Sequence, residues 1–221
     1  MLSTSLLLSL PLLIALIAAV IWLAVWRRRQ LRERSRQRAI AAAQYGWYPV
    51  PPNPWLMQVT ENLFQRGRPG EAFAGDYRGR GVCVLDYTYT TSNGKTQQQH
   101  AVHVVALNLP AALPPLTLTW DSGLKRAFGG RDLELESEAF NDAFRVACAD
   151  DRYASAVLHP RMMEWMLFNP GLEWQFAGNA LVSWGVGQFV VPELLPRLEA
   201  MAGVIDRIPA FVLRDYGQTV S

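Results

Sequence analysis

Cysteine and histidine are scarce in this chain of 221 residues, with two of the first and three of the second. Cys83 and Cys148 lie 65 positions apart and form no C-x-x-C pair, which excludes a dithiol redox motif and a cysteine-rich zinc site. His100 and His103 have the spacing of an H-x-x-H pair. On a strand an odd separation sends them to opposite faces, so they do not converge on one ion. Phosphate cradles are missing as well. Gly79-Arg80-Gly81 begins like G-x-G-x-x-G, but Val84 stands where the third glycine belongs, a strand follows in place of a helix, and there is no Walker lysine motif. Neither Ser122 nor Ser183 sits in G-x-S-x-G, so a nucleophile elbow is absent. Cys83 falls on the apolar side of its strand, away from His103, and gives no thiol–imidazole pair.

Charge is missing over a long stretch. Leu2 to Trp26 carry no charged side chain, and seven arginines follow between residues 27 and 38 (Arg27, Arg28, Arg29, Arg32, Arg34, Arg36 and Arg38). Leu6 to Trp26 would rise about 31 Å as a helix, the thickness of a hydrocarbon core. No basic residue precedes the apolar run, unlike a cleavable signal peptide. The expectation is a transmembrane anchor over residues 1–26, a single pass of the inner (plasma) membrane, with the N-terminus outside and the remainder cytoplasmic. Residues 27–46 then form a basic juxtamembrane helix. Trp22, Trp26, Arg27, Arg28, Arg29 and Arg32 are its candidate contacts to anionic lipid headgroups.

Seven Arg and one Glu make residues 27–38 locally +6, which leaves 14 basic and 18 acidic residues elsewhere, a net of −4. An acidic body is a poor surface for nucleic acid, and no aromatics interleave the arginines as stacking platforms. In a cytosolic compartment the two cysteines are expected to be reduced core residues. Residues 47–55 read WYPVPPNPW, and four prolines in nine positions predict a polyproline spacer of about 28 Å before a domain over residues 56–221.

Within that domain Asn93-Gly94 is a two-residue turn signal that sets Ser92 opposite Lys95. One face then collects Cys83, Leu85, Tyr87 and Tyr89 with Val102 and Val104; Asp86 and His103 fall on the other. The outer half, Thr88 to Gln99, is almost wholly polar and is expected to project as a solvated tongue. Gly178-Asn179 centres a second hairpin with Leu172, Trp174, Phe176 and Leu181 on one face and Glu173, Gln175, Val182 and Trp184 on the other. That alternation predicts a sheet buried on one side, with Trp184 either covered by a helix or part of a contact surface.

Further elements are a strand within Leu113–Trp120, a helical turn near Ser137–Asp142, a strand from Phe144 to Ala149, and a helix from Asp151 to Phe168 stepped at His159-Pro160. A last helix carries Leu198, Met201, Ile205 and Ile208 on one face, begins at Pro192 or Pro196 and stops at Pro209. Met162, Met163, Trp165 and Met166 are taken as core. Asp132, Glu134 and Glu136 alternate with leucines; such carboxylates suit Mg²⁺ or Ca²⁺, but the pattern is equally that of a solvated edge strand, which is preferred. The predicted fold is α+β: an N-terminal transmembrane helix, then one domain with an antiparallel sheet and two or three packed helices.

The segments GGRDLELESEAFNDAFRV (Gly129–Val146), DDRYASAVLHPRMMEWML (Asp150–Leu167) and IPAFVLRDYG (Ile208–Gly217) resemble a family of uncharacterised actinobacterial membrane-anchored proteins. More loosely they are similar to a broader bacterial domain with an E-S-x-x-F-N…F-x-V…L-x-P-x-M-x-E pattern. The resemblance covers most of residues 75–217 and implies the anchor with its basic flank, but no activity and no catalytic residue. The functional expectation is a non-catalytic, membrane-tethered interaction module, an accessory subunit of a larger membrane complex that binds a protein partner in or at the membrane. No cofactor, metal or nucleic acid is implied. Tyr89, Asn93, Lys95 and Trp184 are the candidate partner contacts. The alternatives are a ligand-binding or enzymatic pocket and an anionic-lipid sensor working through the arginines.

Overall fold

A computed structural model describes residues 3–120 and 135–218, with side chains from residue 15 onward. The chain divides into two compact units, residues 1–41 and 42–221. The first is the body of helix α1 (Ser3–Ala43). Among the described residues no helix is long and apolar enough to cross a membrane. The expected transmembrane helix is therefore overturned, and with it the single-pass topology and the inner-membrane placement.

The second unit is an α+β domain. Among the described residues its eight strands are β1 (Tyr48–Val50), β2 (Gly67–Tyr77), β3 (Arg80–Ser92), β4 (Gln97–Asn108), β5 (Leu116–Trp120), β6 (Phe144–Cys148), β7 (Trp174–Ala177) and β8 (Ala180–Val186). They form one antiparallel sheet in the order β1-β2-β3-β4-β8-β7-β5-β6. Among the described residues six helices accompany it, more than the two or three expected: α2 (Pro54–Leu63), α3 (Glu138–Ala143), α4 (Asp151–Val157), α5 (Pro160–Phe168), α6 (Val191–Asp206) and α7 (Ala210–Asp215).

The sheet is buried on both faces. Val102, Val104, Ala106, Val182 and Trp184 pack with Leu85 and Tyr87 against Leu56, Val59 and Leu63 of α2. The alternate residues Val84, Val105, Leu107, Leu181 and Trp174 turn to the opposite face, where α6 packs on β4 and β8. Trp174 Nε1 meets Met166 Sδ there at 3.4 Å, which places the methionine stretch of α5 in the core.

Local sequence explains most helix boundaries. Ser137 Oγ accepts the Phe140 amide at 3.3 Å and starts α3; Asp150 Oδ1 accepts those of Arg152 and Tyr153 at 2.8 and 3.1 Å and starts α4. Pro160 opens α5 after a break at Leu158–His159. Pro192 lies in the first turn of α6 while Pro196 is inside it, and Pro209 caps the next helix. Arg78 and Gly79 both hold positive φ (54° and 77°) and form the tight turn between β2 and β3, so this glycine serves a hairpin. The carboxylate series falls at residues 132–136, of which Asp132 and Glu134 lie outside the described residues.

The proline-rich segment is not a spacer. Tyr48–Val50 pairs with Ala72–Ala74 as an edge strand, where proline's missing N–H is tolerated. Asn53 Oδ1 accepts the Trp55 amide at 2.9 Å, and Pro54 takes the first turn of α2. Trp47, only 2% exposed, lies over Gly75 and donates its indole N–H to Asp76 O at 3.1 Å. A side chain on Gly75 would strike that ring, so the glycine is needed for close approach. Trp47→Ala is expected to cost about 3–5 kcal/mol in urea unfolding, the range for truncating a buried tryptophan; a linker residue would cost almost nothing.

Candidate interaction surface and buried polar clasp

β2 accompanies β3 only as far as the Gly67–Tyr89 pair, and β8 accompanies β4 only from the Val186–Val102 pair. Thr90–Ser92 and Gln97–Gln99 therefore run on together as a two-stranded ribbon. Ser92 stands opposite Gln97, not Lys95, so the connection has four residues. The cause is Asn93, whose Oδ1 accepts from Lys95 N (3.2 Å), Thr96 N (2.9 Å) and Thr96 Oγ1 (3.1 Å) and stabilises the longer loop. The displacement is two residues, an even number, and every side chain keeps the face assigned from the sequence.

The ribbon is rooted in aromatics. Tyr89 is half-buried, its ring stacked 5.0 Å from His100 and 5.2 Å from Phe64, while Phe64 meets Trp184 edge-on at 6.3 Å. Burial pushes the Tyr89 hydroxyl pKa up. His100 Nε2 pairs with Thr91 Oγ1 across the ribbon at 2.8 Å. Of the four candidate contacts, Lys95 is exposed, Asn93 is exposed with its side-chain oxygen committed to the loop, and Tyr89 sits in the stack. Trp184 does not belong with them. It is 5% exposed, and its indole N–H donates to Glu173 Oε2 at 3.0 Å. Glu173 Oε1 takes the Trp120 amide at 3.0 Å as well, so this carboxylate neutralises two donors at a place the sequence presented as a polar face. On α1, Trp22 and Trp26 are exposed and stacked at 6.4 Å. Trp26, Arg29, Gln30, Arg32, Glu33 and Arg36 border a groove along one flank of that helix, and Arg27 and Arg28 are also exposed.

On the sheet face opposite Tyr89, Asp86 and His103 are cross-strand neighbours. A β-bulge between Pro69 and Ala72 lies beside Asp86. Asp86, 3% exposed, accepts the Phe189 amide at 2.9 Å. His103 Nδ1 lies 3.1 Å from Gly187 O, so that nitrogen carries the proton. The pair thus clamps the connection from β8 to α6. Arg197 of α6 donates from Nη1 to Ser183 Oγ (2.8 Å) and Trp184 O (2.7 Å), and Ser183 donates to Glu173 O at 2.7 Å. Gly185 leaves room for this: a Cβ there would lie 2.6 Å from His103 Cε1 and 3.0 Å from Arg197 Nη2.

Aspartate, histidine and serine here superficially match a hydrolase triad, but the bonds run elsewhere. Histidine's Nδ1 is held by a backbone carbonyl, and the fully buried Ser183 hydroxyl is spent on another. The sites can fasten α6, with no nucleophile paired to a base. Burial also pushes the thiols of Cys83 and Cys148 up, which weakens them as nucleophiles. Among the described residues no group of three His, Cys, Asp or Glu side chains is placed to hold a metal. Sequence gave Asp86 and His103 a common face but not Gly187, Phe189 or Arg197, which approach from some 85–110 positions away; the one local signal was a lone aspartate in an apolar strand.

Burial lowers the pKa of His103 from the ordinary value of 6.5, and Arg197 lowers it further; the Gly187 carbonyl, Asp86 and Glu193 act in the opposite direction. A depressed folded-state pKa means that below pH 6.5 the unfolded chain takes up the proton before the folded one does. Stability therefore falls as pH drops from 6.5 toward the lowered value. His103→Asn, which keeps a donor for Gly187 O, is expected to flatten that part of a Tm-against-pH curve measured from pH 7 to 5; an unchanged slope would refute the assignment.

No family model matches the chain, and no curated protein matches it. Among solved structures, that of the mycobacterial trehalose monomycolate transport factor A, TtfA, is similar, with a TM-score of 0.56 over 84% of this chain and 97% of that one. Sequence identity is 13%, so what the likeness shows is a shared fold.

Proposed function

We propose that this chain is a non-catalytic accessory module that binds a protein partner through the β3–β4 ribbon, as a factor in a transport process. The observation that carries this is the ribbon itself, a polar hairpin that outruns both neighbouring strands and is held stiff at its root by the Tyr89 stack. The name of TtfA, a transport factor, supports the second half of the proposal. Replacing Ser92–Gln97 by a two-residue turn should abolish co-purification of the partner after gentle extraction while Tm changes by a few degrees at most. Recovery of the same partner in equal amount would overturn the reading.

A second reading concerns the exposed flank of α1. Arg29, Arg32 and Arg36 share it with Trp26, an arrangement suited to anionic headgroups at about 1 kcal/mol per arginine. Sedimentation with phosphatidylglycerol vesicles is expected to exceed that with phosphatidylcholine vesicles and to fall as salt rises. Binding that ignores lipid charge, or survives replacement of these three arginines by serine, would count against it.

A further inference from the structure

The two outer edges of the sheet are blunted in the usual ways. β1 has three residues and carries Pro49; β6 has five and carries the exposed Arg145. The ribbon has neither device. Between Tyr87 and Val102 there is no proline, and Lys95 is the one charged side chain. Backbone alternation shows what its β4 edge offers. Gly187 N donates to Ala101 O at 2.8 Å and Leu109 N to Asn179 O at 2.8 Å, so the odd-numbered residues of β4 direct their N–H and C=O toward the line of β8. Beyond Ala101 none of the described residues continues that line as a strand, and Gly187 holds a φ of 82° where β8 ends. Gln97 and Gln99 therefore present both backbone groups, and Ala101 its N–H, along an edge of about 17 Å.

We propose that this edge receives an extended segment of a partner protein by strand addition, extending the sheet along the path that β8 leaves. The proposal rests on the partner-binding reading and names its mode. The chemistry of the occupant follows from its surroundings. It is uncharged in the middle, beside the glutamines, and acidic where it passes Lys95. It is apolar or aromatic at the root, where Val186, opposite Val102, is 94% exposed. A second copy fits less well, because pairing two ribbons along this edge drives the Asn93–Thr96 loop of one against Gly187 of the other, where the Ala101 carbonyl is already taken.

The test uses the full chain and two fluorescein-labelled peptides, DTVTVTF and its reverse FTVTVTD, which sample both strand directions. One of them is expected to bind saturably by fluorescence anisotropy and to slow hydrogen exchange at the Gln97 and Gln99 amides. Gln99→Pro removes an outward N–H and leaves the β3 ladder intact, so it should weaken binding about tenfold or more. Gln99→Ala should leave it unchanged. Failure of both peptides, unaltered exchange at these amides, or equal losses from alanine and proline would overturn strand addition. So would a concentration-dependent dimer that Gln99→Pro dissolves, which would assign the edge to a second copy. If the natural partner is lost with the loop replacement yet retained by Gln99→Pro, the partner-binding reading stands and strand addition falls.

Discussion

Parity along β4 is the constraint on which the domain depends. Its even residues Val102, Val104 and Ala106 enter the core under α2, and its odd residues Val105 and Leu107 enter the core under α6. A slip of one residue would push His103 among the packed side chains of Leu56 and Leu63 and lift Val104 beside Arg197. Two covered faces leave no solvated side to absorb such an error. Register is therefore fixed from both sides at once, and the ribbon beyond Ala101 inherits its geometry from that fixed stretch.

Burial on both faces creates a difficulty for polar groups, because each one needs a partner inside the domain. Glu173 takes two N–H groups, Arg197 feeds a hydroxyl and a carbonyl, and Asp86 and His103 tie down the chain leading into α6. These bonds link residues from β3, β4, β5, β8 and α6 with Glu173, which precedes β7, and with the connection from β8 to α6. They form a fastening between sheet and helix layers, which explains charged side chains in the interior without invoking catalysis. Gly185 and Gly75 belong to the same logic, since each admits a large ring where a side chain would block it.

The ribbon obeys the opposite rule. Its backbone groups pair on the inner edge and, among the described residues, have no strand beside them on the outer, and its side chains are mostly polar and, Lys95 apart, uncharged. A segment of this kind adds little to folding stability. What it offers is a template for pairing, held at a set angle by the Phe64–Tyr89–His100 stack. The fold shared with TtfA is compatible with such a surface and decides nothing about its occupant.

Local chemistry made the two hairpins, their faces, the caps at Ser137 and Asp150 and the break at His159-Pro160 legible in the sequence, because alternation, turn residues and capping act over a few positions. Distant chemistry escaped it. WYPVPPNPW has the composition of a spacer, and only the presence of β2 beside it turns three of its residues into a strand and buries Trp47. Trp184 looked free until Phe64 and Glu173 arrived from either side. The apolar run before the arginines has the composition of an anchor, whereas no described helix has the length and hydropathy to span a bilayer. By itself the sequence determined which residues share a face, since that depends on a period of two. Which faces are covered, and which polar groups meet beneath α6, was decided by tertiary structure, since burial depends on elements a hundred residues away.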